Sequence, residues 1–155
     1  MSDSTATVEP ATTGPDNART VGEIYAAFGR GDIGTILAAL ADDVRWEEWP
    51  DNSAQRAGLS HMRARRGRED AAGFFAEVAT WTVRDFAVLD VIGSGSQVVG
   101  EVRVAFDLPG GGRFADEELH LWTFDEAGRV VRFRHYVDTA KHIAAARGED
   151  TVVVP

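Results

Sequence analysis

From Trp81 to Val137 the chain is a succession of β-forming runs cut by turns too short to hold a crossover. Trp81 to Ile92 and Gln97 to Asp107 are rich in Val, Phe and Leu and are separated by Gly93-Ser94-Gly95-Ser96, a hairpin signal. Pro109 to Gly112 makes the next turn, Phe114 to Phe124 the next strand, and Asp125 to Gly128 the last turn before Arg129 to Val137. Strands joined this closely run antiparallel, because a parallel pair needs a connection of about a dozen residues or more.

The segments ahead of this run carry a different period. Val21, Ile24, Tyr25 and Phe28 follow helical spacing, and Gly29 to Gly31 stops that helix. Asp32 can cap a second, short helix built on Ile33, Ile36, Leu37 and Leu40, after which Val44-Arg45-Trp46 turns extended. Ala71, Ala72, Phe74, Phe75 and Val78 predict a third helix from Arg68 to near Thr80, and Thr139 to Arg147 a short last one. Three helices followed by consecutive strands is an α+β pattern, one sheet with helices segregated onto one face. The expected organisation is one domain over residues 18–147, a disordered tail over 1–17 and a flexible tail over 148–155.

Composition excludes several functions. The chain has no cysteine, which removes disulfides, thiolate metal sites and cysteine nucleophiles and is compatible with the cytoplasm. Met1 to Asn17 has neither a basic start nor an apolar stretch, so it reads as neither signal peptide nor membrane anchor. A net charge of -9 disfavours nucleic acid and anionic membrane, whose binding rests on Lys and Arg.

Gly31-Asp32 with the Ala41-Asp42-Asp43-Val44 strand entry, the hairpin Phe124-Asp125-Glu126-Ala127-Gly128-Arg129-Val130, and Tyr136-Val137-Asp138 resemble, in order and spacing, the nuclear transport factor 2-like superfamily and its SnoaL-like group of polyketide cyclases and ketosteroid isomerases. The resemblance covers roughly Val21 to Ala144. It implies a cone-shaped, strongly curved, mainly antiparallel sheet with three helices packed on its concave side, an apolar pocket inside, and a homodimer formed through the outer face of the sheet. Laid over the isomerase pattern, the general base falls on Glu48 and the oxyanion-hole acid on His120, while the first-helix tyrosine falls on Ile24, with Tyr25 a quarter-turn away. The limonene epoxide hydrolase pattern places its essential Arg and Asp on Val102 and Val104, which speaks against that relay.

Strand alternation adds an independent reading. On the last strand Val131, Phe133, His135 and Val137 share a mainly apolar face, so His135 points inward and the arginines outward. On Asp116 to Phe124 the period leaves the inner face open, although a hairpin at Asp125–Gly128 can set His120 beside His135. Trp46 and Glu48 join the same wall two residues apart, with Glu47 inward as the alternative. The expected site is Glu48, His120 and His135 as catalytic groups and Trp46, Trp49, Phe75, Trp122 and Phe133 as walls for a small hydrophobic molecule. No metal is expected, although His120, His135 and Glu48 are chemically suitable ligands, and no cofactor, since no glycine-rich nucleotide fingerprint is present. The cluster Arg63, Arg65, Arg66 and Arg68, with Arg56 and His61 upstream, reads as surface charge balance, or alternatively as a lid that selects an anion. The function expected is a cofactor-independent isomerase, cyclase or lyase that moves a proton next to a carbonyl. A non-catalytic binding domain or dimeric scaffold is the alternative.

Overall fold

The computed structural model describes residues 16–93 and 95–153. Helices α1 (Asn17–Gly29) and α2 (Ile33–Ala38) form the opening helical pair. Asp16 caps the first by accepting from the Arg19 amide at 3.0 Å, and Asp32 caps the second through the Thr35 amide at 3.1 Å. The turn between them needs a left-handed residue, and Gly31 supplies it with φ 71°. Strand β1 (Leu40–Trp46) follows, then a connection holding α3 (Ser53–Arg56), a single 3-10 turn at Ser60–Met62 and the two-residue β2 (Arg65–Arg66). Helix α4 (Gly67–Val78) leads into β3 (Thr82–Ile92), β4 (Gln97–Asp107), β5 (Arg113–Phe124) and β6 (Val130–Tyr136), and α5 (Thr139–Ala146) closes the domain.

The six strands make one curved, unclosed sheet in the order β2-β1-β6-β5-β4-β3. All neighbours are antiparallel except β1 and β6, which run parallel because the helices and the later strands intervene between them. Val98, Val102, Val104, Phe114, Trp122 and Phe133 face inward and meet Val21, Ile24, Ile36, Phe74 and Phe75 of the helices in one core. The expected α+β cone stands, with α1, α2 and α4 as its three main covering helices.

Two boundaries differ from expectation. Of the tail expected over residues 1–17, Asp16 and Asn17 lie among the described residues, and they cap and begin α1. The stretch after Arg147 is fastened rather than loose through residue 151. The Arg113 amide donates to the Glu149 carbonyl at 3.0 Å, the Thr151 amide donates to the Arg113 carbonyl at 2.9 Å, and the Arg113 side chain pairs with Asp150 at 3.1 Å.

Candidate functional site

The inner face of β5 carries Asp116, Glu118, His120 and Trp122 in succession, all buried, which settles the alternation that the sequence left open. The β5–β6 register sets His120 opposite His135 and Trp122 opposite Phe133, so both imidazoles meet on one wall with ring centroids 4.7 Å apart. The cavity in front of them is lined mainly by apolar side chains, among them Ile24, Phe28, Trp46, Phe74, Phe75 and Phe86.

Glu48 is exposed, and Glu47 is the carboxylate inside. Trp46 is buried at the end of β1, so alternation would turn Glu47 out and Glu48 in. Instead Glu47 takes φ 55°, a left-handed conformation that is costly for a side-chain-bearing residue, and the strand phase breaks there. The Glu47 amide still donates to Phe133 at 3.0 Å, and its carbonyl accepts from Gln55, so the turn is held from both sides. Its carboxylate accepts from the His135 amide at 2.8 Å and from His135 Nδ1. A carboxylate on Nδ1 fixes the tautomer and leaves Nε2, on a ring that lines the cavity, as the free basic atom. Glu47 Oε2 is buried without a partner.

Trp49, expected in the wall, lies outside it. Past the Glu47 reversal it packs on Tyr136 with centroids 4.7 Å apart, and Arg134 lies over it at 5.0 Å. The structure places Trp46, Phe75, Trp122 and Phe133 along the cavity.

A second set of groups continues from His120. The Tyr25 hydroxyl lies 2.9 Å from His120 Nδ1 and accepts from Trp122 Nε1 at 3.2 Å. Both Ile24 and Tyr25 are buried, because the apolar stripe of a helix spans about 100° or more and admits neighbours a quarter-turn apart. Space for the Tyr25 ring comes from Gly100, which stands opposite His120 on β4 and has no side chain to block it. The other ring nitrogen of His120 meets Glu118 at 2.9 Å, and Glu118 meets His142 Nε2 at 3.2 Å. His142 also contacts Asp116 at 3.3 Å and, through Nδ1, His61 Nε2 at 3.0 Å.

The charges along this chain follow from its partners. Burial pushes the Glu118 carboxyl up, but hydrogen bonds from His120 and His142 outweigh it and hold the group below the usual carboxylate range. With Glu118 ionised, His120 donates from Nε2 and accepts the Tyr25 proton at Nδ1. Burial also opposes charge on His142, yet the hydrogen bonds to Asp116 and Glu118 raise its pKa above the ordinary histidine value. His61 is driven down to about 3 by burial and by the neighbouring His142, and so stays neutral. Burial raises the Tyr25 phenol well above its normal value, which keeps its proton in place as a donor.

The arginines near α4 bind the fold together. Arg65 is buried and reaches Asp70 and Glu77, Arg63 pairs with Asp70 at 2.8 Å, and Arg68 donates to the Leu40 carbonyl at 2.8 Å. From the same connection His61 lines the cavity, and His142, Glu118 and Tyr25 line it as well.

Among the described residues two sets of donor atoms gather within 4.8 Å of one another, Glu118–His120–His135 and Asp116–Glu118–His142. These donor types suit a divalent transition cation. An ion at either place would have to displace the hydrogen bonds that now tie Glu118 to His120 and His142.

Residues 21–133 match the sequence profile of the SnoaL-like domain. The chain belongs to the SnoaL-like family. A solved nuclear transport factor 2-like protein of unknown function from Burkholderia pseudomallei K96243 is 33% identical over 83% of this SnoaL-like chain and 95% of its own, with a TM-score of 0.68. TerC, crystallised with polyporic acid, is 23% identical over 84% of this chain and 98% of its own (TM-score 0.67), and an LEH-like epoxide hydrolase of M. tuberculosis is 21% identical over 87% and 92% (TM-score 0.62). The last two share the fold. No curated protein sequence matches this SnoaL-like chain.

Proposed function

We propose that this SnoaL-like protein is a cytoplasmic, cofactor-independent enzyme that moves a proton at carbon next to a carbonyl in a small hydrophobic molecule. The observation that carries this reading is the Glu47–His135 dyad, a carboxylate-backed imidazole on the wall of an apolar cavity. His135 Nε2 takes the proton from carbon, the C–H electron pair enters the new C=C bond, and the carbonyl oxygen becomes an enolate oxygen. Glu47 stabilises the imidazolium that forms. Tyr25, turned from His120, donates to the enolate oxygen, an interaction worth a few kcal/mol, about 2–4, when the donor is preorganised in a dry site. Return of the proton to a second carbon gives an isomer, attack of the enolate carbon on an electrophile in the same molecule gives a ring, and loss of a β-substituent gives a lyase product.

One observation favours the alternative, a pocket that binds without turnover. The Tyr25 hydroxyl already donates to His120 and accepts from Trp122, so its proton is committed inside the protein.

The test uses 5-nitrobenzisoxazole, which opens to a coloured cyanophenolate when a base removes its ring C–H proton and the N–O bond breaks. The wild type is expected to accelerate this elimination, and His135→Ala, which keeps the probe bound by tryptophan quenching, is expected to lose about a hundredfold or more. Binding with no acceleration over His135→Ala would overturn the enzyme reading and leave the binding one.

A further inference from the structure

Three of the buried polar groups on the cavity wall converge on one point. Glu118 and His120 stand two residues apart on the inner face of β5, and His135 comes beside His120 from β6. One donor atom from each, a carboxylate oxygen and two imidazole nitrogens, lies within 4.8 Å of the other two. Glu118 Oε2 and His120 Nε2 are 2.9 Å apart. Two ligands each about 2.1 Å from one ion stand about 3.0–3.4 Å apart at octahedral to tetrahedral angles, so this pair already spans one coordination edge. The third bond asks for a shift of about 1–2 Å in the His135 ring.

Each of the three is also held from behind. The Glu47 carboxylate binds His135 Nδ1, which leaves Nε2 for an ion. His120 Nδ1 meets the Tyr25 hydroxyl at 2.9 Å, and Glu118 Oε1 meets His142 Nε2 at 3.2 Å, so Nε2 and Oε2 are the atoms turned to each other. Partners of this kind on the far atom of each ligand orient the ligands of metal centres. Charge points the same way. Glu47 and Glu118 are buried, and among the described residues every ion pair that either makes is with a histidine. Glu47 Oε2 is buried without a hydrogen-bond partner. A doubly charged cation matches these two carboxylates, whereas no described lysine or arginine lines the cavity to do so.

We propose that Glu118, His120 and His135 bind a divalent transition cation such as zinc, with its remaining positions open to the cavity. Two imidazoles and a carboxylate are the donors such ions take. The cation replaces the proton between His120 Nε2 and Glu118. The ring then carries its proton on Nδ1 and donates it to the Tyr25 oxygen, and the phenol hydrogen turns to the cavity. The bond from Glu118 to His142 uses the other oxygen and remains. The neighbouring set Asp116, Glu118 and His142 is the poorer site. It offers one imidazole, the Asp138 amide already donates to Asp116 Oδ2 at 2.9 Å, and the Lys141 ammonium lies 3.8 Å from Asp116 Oδ1. Because His135 Nε2 is the base in the proposed function, cation binding and proton abstraction exclude each other, and the cation switches the base off. The affinity of the site does not depend on that reading.

Calorimetric titration of zinc into the full chain, purified without a histidine tag, tests the site. The expected result is one zinc per chain with a micromolar or tighter Kd, at least about a hundredfold weaker in His120→Ala and about 10–100-fold weaker in Glu47→Gln, which loses only the group behind His135. Asp116→Asn is expected to stay within about fivefold of the wild type, since it touches none of the three ligands. Should His120→Ala fail to fold by circular dichroism, His120→Gln takes its place. A wild type that does not bind zinc, binding that His120→Ala leaves unchanged, or binding that Asp116→Asn abolishes would overturn the proposal. Elimination of 5-nitrobenzisoxazole, followed in the same titration, separates this site from the base. A rate that falls in proportion to zinc occupancy and returns with EDTA would support both. Zinc bound with the expected pattern and an unchanged rate would support the site and tell against His135 as the base.

Discussion

Glu47 and Glu48 differ by one position and by everything that matters chemically. The sequence shows two adjacent glutamates after an inward tryptophan, and the two-residue period of a strand selects the second. The period fails because Glu47 adopts φ 55°, a conformation that no pattern of hydrophobicity encodes and that glycine or asparagine would have advertised. Tyr25 was out of reach for a related reason. Its distance from the expected helix position is a quarter-turn, and the gap at Gly100 that receives its ring appears once β4 is paired with β5. Gly100→Ala tests that gap, because the added Cβ would stand 2.7 Å from Tyr25 Cζ. The expected outcome is a loss of about 1–3 kcal/mol in urea unfolding, the range for overpacking a core. Unchanged stability would show that the ring moves aside freely.

At the scale of elements, most of the fold was legible. Each strand from β3 to β6 begins and ends within about two residues of the expected limits, because the Gly-, Pro- and Asp-containing turns fix them. The connection at residues 50–66 was not legible in detail. Its polar composition conceals a short helix and a 3-10 turn that carries His61 to the cavity, where it meets His142 from α5. No local signal links two histidines 81 positions apart.

This buried pair gives stability a defined pH dependence. His61 titrates near 6.5 when unfolded and near 3 when folded, so between those values the unfolded chain binds the extra proton. Stability is therefore present above about 6.5 and is lost as pH falls toward 3. His142 has the opposite sign. Its folded pKa is raised, so its contribution is complete below about 6.5 and is lost as pH rises through the folded value. The midpoint of urea unfolding is expected to fall from pH 6.5 to pH 4.5, and His61→Phe is expected to flatten that slope. An equal slope in wild type and variant would contradict the assignment of His61 as a buried neutral imidazole.

For the molecule as a whole, the sheet separates two chemistries. Its inner face supplies imidazoles and carboxylates to a mainly apolar cavity, and its outer face presents exposed Leu119 and Tyr136 between Arg45, Arg66 and Arg132 on one flank and Asp90 and Glu101 on the other. β6 serves both at once, with His135 inward and Arg134 outward on consecutive residues. The net charge of -9 says little about either face, since the outward arginines form a local row within an acidic chain. The fold class follows from the order of helices and strands, whereas which of two adjacent carboxylates turns inward depends on one strained residue just past β1.

That residue offers the most direct measurement. Elimination of 5-nitrobenzisoxazole is compared in Glu47→Gln and Glu48→Gln, both confirmed folded. The expected result is a fall of about a hundredfold or more for Glu47→Gln, which leaves His135 without its carboxylate, and an unchanged rate for Glu48→Gln. Loss of activity in Glu48→Gln with Glu47→Gln intact would contradict the Glu47–His135 site.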